Sequence, residues 1–212
     1  MAYATVTDVR ALTNIVVADL SDSEVTALIG YATAQINEDI NTGVTRESVL
    51  QIDNTRKNTI DGSNKTFYVK NWEGKYIGDY NDDGSITTGD MTVYYVGSDG
   101  TETTTTLSSI DSNDGKFVVT TAPSTSQSMF INYDWTYIDP DTPSKTLVLA
   151  TSLLVAAYSY EKINRGMSPQ QVYGNVRFMR DMRAGNDYFK RYEEIISKIN
   201  SNMGDWEESE IF

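Results

Sequence analysis

Hydrophobic residues change their spacing twice along this 212-residue chain, which divides it into three stretches of different architecture. In the first, Val25, Leu28, Ile29, Ala32, Ile36 and Ile40 step mostly by three and four, which aligns them as one stripe on an α-helix. Ser21-Asp22-Ser23-Glu24 precedes the stripe as a capping box, in which the Ser and Glu side chains satisfy backbone donors reciprocally. Asn41-Thr42-Gly43 stops that helix, and Thr7 is placed to cap a shorter one over residues 8–12.

Between residues 47 and 137 the helical period is lost. Thr, Ser, Asp, Gly and Tyr dominate there, and Asp61-Gly62, Asp83-Gly84, Asp99-Gly100 and Asp114-Gly115 are turn signals. The pattern predicts six short strands, at 49–53, 66–70, 91–96, 103–107, 116–121 and 129–133. The third stretch opens with Thr142 as N-cap and Pro143 as first helical residue, a position that needs no amide donor, and predicts a long helix to about residue 164. Residues 165–183 read as irregular or briefly extended. A last helix is predicted over 186–199, with Tyr188, Tyr192, Ile195, Ile196 and Ile199 on its apolar face. Helical ends around a strand-rich middle predict an α+β fold. Its parts are an α-helical bundle formed from both termini (1–46 and 138–203), an inserted small antiparallel β-barrel or sandwich (47–137), and an extended C-terminal arm (204–212).

Composition narrows the chemistry. Seventeen basic residues against 30 acidic ones give a net charge of −13, which repels a phosphate backbone and disfavours general nucleic-acid binding. The absence of Cys and His removes disulfides, thiolate nucleophiles, imidazole acid–base catalysis and the usual zinc ligands. No phosphate-cradling Gly loop or nucleophile elbow occurs, and Tyr133-Asp134-Trp135, a conceivable sugar-cleft element, reads more simply as a strand end. A non-enzymatic role is expected. The N-terminus lacks an export signal, and the apolar run at 147–158 falls well short of the roughly 20 residues needed to cross a bilayer, so no membrane partner is expected.

The sharpest local motif runs from Asp79 to Asp90. Its residues match the twelve-position spacing of a calcium loop, because calcium gathers several oxygens at once. Asp79, Asn81 and Asp83 supply side chains in that reading, Ser85 its carbonyl, Thr87 a bridging water and Asp90 the closing carboxylate, with Gly84 at the sharp turn. The loop resembles that of dockerins but occurs once, and a strand follows where a dockerin has a helix. Any ion there is expected to be structural; the competing reading is a metal-free Asx turn.

Charge is unevenly spread. Residues 161–200 hold eight basic and five acidic side chains, a local +3 against −16 for the remainder. Arg177, Arg180 and Arg183 are therefore candidate partner-binding residues, against the plainer reading of a solvated face with intrahelical pairs. Trp206, Ile211 and Phe212 punctuate an acidic C-terminus and form a second candidate set, since such anchors are costly to leave in water.

The N-terminal sequence Tyr3-Ala4-Thr5-Val6-Thr7-Asp8-Val9-Arg10-Ala11-Leu12, followed by Ser21-Asp22-Ser23-Glu24-Val25-Thr26-Ala27-Leu28-Ile29, resembles the head-to-tail connector family of tailed viruses, the adaptors beneath the portal. Members of that family start with a short helix and a second helix and finish with further helices and an extended C-terminal arm; residues 1–42 and 142–212 fit that plan, while the β-insertion departs from the compact members. The resemblance implies a homo-oligomeric ring, commonly a dodecamer, in the neck of a virion assembled in host cytoplasm. It further implies contacts with portal and with tail or neck proteins, and a channel through which DNA passes without specific binding. The alternative expectation is a calcium-stabilised adhesion or carbohydrate-binding module of a virion or cell surface.

Overall fold

Two capped helices begin the chain in the computed structural model, which describes residues 2–50, 56–83, 85–139, 142–166, 170–173, 176–179 and 183–209. Helix α1 (Val6–Leu12) is capped by Thr5 and not by Thr7. The Asp8 amide donates to Thr5 Oγ1 at 3.3 Å and the Thr5 amide donates to Asp8 Oδ2 at 2.8 Å. A capping box needs an acceptor three residues on, which Thr5 finds in Asp8, whereas Thr7 would meet the donor Arg10. Helix α2 (Asp22–Ile40) starts at the expected box, with the Ser21 amide donating to Glu24 Oε2 at 2.9 Å. Val25, Ile29, Ala32, Ile36 and Ile40 are buried along one stripe.

Helix α3 (Lys145–Gly166) begins two residues later than its Thr142-Pro143 signal. Ser144 is the cap, its Oγ accepting the Leu147 amide at 3.2 Å, while the Thr142 amide donates to Asp139 in the preceding turn. Leu147, Ala150, Leu153, Leu154, Val155 and Ala156 are all fully buried, so the middle of α3 is enclosed on every side. Thr151 and Ser152 are accommodated because their hydroxyls donate to the carbonyls of Leu147 and Val148, at 2.9 and 2.8 Å. Helices α1, α2 and the last helix, α4 (Arg183–Ser209), all pack on α3.

Between α2 and α3 lie β1 (Thr42–Ser48), β2 (Thr66–Tyr68), β3 (Tyr76–Ile77), β4 (Met91–Val96), β5 (Glu102–Thr105), β6 (Leu107–Asp111), β7 (Lys116–Val119) and β8 (Ser128–Thr136). One antiparallel sheet has the order β1-β8-β4-β5, with β3 also pairing β8; a second has the order β2-β7-β6. Phe67, Phe117 and Val119 from the second sheet share a core with Val93, Tyr95, Ile131 and Tyr133 from the first. Glu47 is held inside by hydrogen bonds: its carboxylate accepts the Lys70 amide at 2.9 Å and the Tyr133 hydroxyl at 3.0 Å. Between α3 and α4, β9 (Gln170–Tyr173) and β10 (Val176–Met179) form a two-stranded antiparallel hairpin.

The chain divides into two compact units, one of Asn41–Pro143 and one that joins Ala2–Ile40 to Ser144–Phe212. The expected α-helical bundle from both termini, carrying an inserted β-barrel or sandwich, is corrected by this architecture. Among the described residues the fold is mixed α+β with four helices and, besides the β9–β10 hairpin, two antiparallel sheets, neither closed into a barrel. The sheet of β8 ends in edge strands at β1 and β5, and among the described residues no pairing returns one edge to the other. Among the helices, one element enclosed along its middle receives the others, and the same unit includes the β9–β10 hairpin. Residues 204–209, expected as the start of an extended arm, are the last turns of α4.

Candidate interaction surface

Three helices contribute to a groove in the helical unit. Along α4, Phe189, Tyr192, Glu193, Ile196, Ser197 and Asn200 recur at helical spacing, and Tyr192 and Ile196 turn inward. Facing them are Gln35 and Asp39 at the end of α2, and Tyr158 from α3. The cavity so enclosed measures about 380 Å³. A second hollow of about 370 Å³ lies beside the same Tyr158, lined by Leu28 and Tyr31 of α2 and by Glu161 and Lys162 of α3. Phe189 and Tyr31 stand out at 41% and 70% exposure, values unusual for aromatic rings that bring apolar area and few hydrogen bonds.

Hydrogen bonds fix the walls. The Tyr192 hydroxyl donates a short hydrogen bond to Asp39 Oδ2, and the Asn200 side-chain amide donates to the Asp39 carbonyl at 3.1 Å. Tyr160 and Tyr188 stack at 5.6 Å between ring centres, holding α3 against the start of α4. At the second hollow Lys162 reaches Glu24 at 2.8 Å, and that hydrogen bond, with those from Ser21, lowers the Glu24 carboxyl to about 2. The groove itself is anionic. Burial raises the Tyr158 phenol, and the charges of Asp39, Glu161 and Glu38 raise it further. Burial is likewise the largest cause of the elevated Tyr192 phenol, followed by its bond to Asp39. Aromatic walls with an acidic rim suit an apolar segment that carries positive charge.

The Asp79–Asp90 motif lies in the other unit, and its side chains serve the loop itself. Asp90 is fully buried; its Oδ1 accepts the amides of Tyr80 at 3.0 Å and Asn81 at 3.2 Å, and its Oδ2 accepts that of Thr87 at 2.6 Å. Asn81 Oδ1 accepts the Asp83 amide at 3.0 Å, and Asp83 Oδ1 accepts the amide and hydroxyl of Ser85 at 3.0 and 2.8 Å. The bonds from Ser85 lower the Asp83 carboxyl, whereas burial, opposed by the donated amides and aided by Asp79 and Asp83, raises that of Asp90. Asp134 is raised too, by burial and then by Asp82, Asp90 and Asp79. Among the described residues no three Asp or Glu side chains are grouped together. Gly84 lies outside the described residues.

The other anticipated site residues are dispersed. Arg177 occupies β10 opposite Val172, Arg183 is the first residue of α4, and Trp206 falls in the last turns of that helix. Arg180, Ile211 and Phe212 lie outside the described residues. Sequence reasoning missed the groove because its walls come from three helices, and the α2 wall lies more than a hundred residues before those of α3 and α4. The one local signal was the stripe that includes Tyr192 and Ile196.

Compared with known proteins, the chain matches no protein-family model and no curated protein sequence. No helix among the described residues is long and apolar enough to cross a membrane.

Proposed function

We propose that this chain is a structural protein of a tailed virus, a head-to-tail connector that forms a ring beneath the portal, prolongs the DNA channel and offers an attachment surface to tail proteins. One observation carries the reading. Ala2–Ile40 and Ser144–Phe212 form a single unit in which two capped N-terminal helices and a long amphipathic C-terminal helix lie on one apolar helix, and the β unit interrupts it once in sequence. That order of helices is the one the N-terminal resemblance implies. The charge of −13 agrees with a conduit that lets DNA slide, since acidic walls avoid the counterion release that grips phosphates. No reaction is part of the proposal.

The carbohydrate-binding alternative gains little from the β unit. Sugar platforms are exposed rings, whereas Trp72 lies under the Arg56 guanidinium at 3.7 Å and Trp135 under the Lys75 ammonium at 4.2 Å. Tyr133 is fully buried. Electron microscopy of the purified protein mixed with portal tests the proposal. Rings seated on the portal are expected, and a protein that neither forms rings nor binds portal refutes it.

A further inference from the structure

The β9–β10 hairpin and the aromatic groove have opposite characters. Among the described residues, β9 and β10 pair with each other and with no other strand. The hairpin sequence is apolar and basic: Val172, Tyr173, Val176, Phe178 and Met179 accompany Arg177 and Arg180, with Arg183 just beyond and Asp181 the one acid in residues 170–183. The groove offers what such a segment lacks, an apolar wall of Tyr158, Phe189 and Ile196 with Asp39 and Glu193 at its rim and, among the described residues, no basic residue in its lining. In a chain of net charge −13 two copies repel on average, so a contact that brings the basic stretch of one onto an acidic stretch of the other is favoured over one that brings like charges together.

We propose that the groove between α2, α3 and α4 receives the β9–β10 hairpin of a second copy of this chain, with Arg177 and Arg180 meeting Asp39 and Glu193. This rests on the connector reading and specifies its subunit contact. Hairpin and groove are different patches of one surface, so the contact is head-to-tail, and repetition of such a contact closes a ring when the rotation permits.

Reciprocal charge reversal in the full-length protein tests it. One variant carries Arg177→Glu and Arg180→Glu; the other carries Glu193→Lys and Gln35→Lys, leaving Asp39 and its bond from Tyr192 intact. Size exclusion with light scattering should show that each variant alone self-associates about tenfold or more weakly than wild type. An equimolar mixture of the two should regain assembly, because every junction then pairs opposite charges. Recovery in the mixture also shows that neither variant is misfolded. Wild-type rings that survive both reversals, or variants rescued when all four changes share one chain but not in the mixture, overturn the inter-copy contact and leave the connector reading standing. A wild type that stays monomeric at every concentration and binds no portal overturns both. Because the chain has no cysteine, Phe189→Cys with Val176→Cys adds a direct measurement. Disulfide-linked multimers are expected on oxidation, and a link confined to single chains counts against the proposal.

Discussion

Replacing Tyr192 with Phe isolates one bond in the wall of the groove. The ring is 3% exposed and stays apolar in the variant, so packing is preserved while the hydroxyl that donates to Asp39 is removed. A hydrogen bond to a charged group contributes about 1.5–3 kcal/mol, and because water reaches Asp39 and replaces part of the lost donor, the lower end applies, near 1.5 kcal/mol. For a unit of about 100 residues each kcal/mol moves the melting midpoint by roughly 4–8 °C, giving a loss of roughly 6–12 °C. Thermal melts followed by far-UV circular dichroism report on the four helices, three of which line or support the groove. Tyr31→Phe, at a hydroxyl on an exposed ring, serves as control and should leave the midpoint in place. A Tyr192→Phe midpoint no lower than that of the control refutes the argument. The phenol's elevation adds a pH signature. A tyrosine raised in the folded state contributes stability that is intact below the unfolded value near 10 and falls as pH rises beyond it, so the variant should lose less stability between neutral and strongly alkaline pH than the parent.

Leu153→Ala in α3 empties a fully buried position and should cost about 2–5 kcal/mol by denaturant titration. Gly115→Ala should destabilise the β unit by about 1–3 kcal/mol, because φ there is +56° and a Cβ would stand 2.5 Å from that of Trp72; near-UV circular dichroism of the tryptophans reports it. Glu24 is lowered in the folded state, so its contribution is present above 4.5 and lost as pH falls toward 2; Glu24→Gln should flatten that acid limb in melts across the range. The spacing of residues 79–90 predicts a higher melting midpoint with calcium than with chelator. An unchanged midpoint refutes the ion and leaves Asp90, with its three amide bonds, as the closure of the loop.

Local signals were readable where one element decides its own structure. The α2 stripe and the Ser21–Glu24 box needed only residues three and four apart, and β4 has the predicted bounds because Met91 to Val96 is apolar and bounded by turns. The caps misplaced by two residues have separate causes: Thr5 finds in Asp8 the reciprocal partner that Thr7 lacks, whereas the Thr142 amide is bonded to Asp139 in the preceding turn and Ser144 accepts the Leu147 amide. Strand β1, Thr42–Ser48, was not expected, because it is a mostly exposed run that is held by pairing with β8 and carries little apolar signal; of the strand predicted at 49–53, residues 51–53 lie outside the described residues. The two-residue β3 has no alternation to read, and the strand predicted at 103–107 divides at Thr106 because its two halves join different sheets. The groove was hidden for a related reason: Asp39 looked like a helix end and Tyr158 like core, and their common role emerges once tertiary packing brings α4 across them.

Thr42 of β1 lies directly opposite Trp135 near the end of β8, so the polypeptide enters and leaves the β unit along neighbouring, hydrogen-bonded strands. In mechanical terms, a pull that separates α2 from α3 would open that junction as a zipper, one rung at a time, instead of shearing all rungs together. In construction terms the unit is a cassette with both leads at one edge, the geometry in which a stretch of about a hundred residues can be exchanged for a short connector without re-routing the helices on either side.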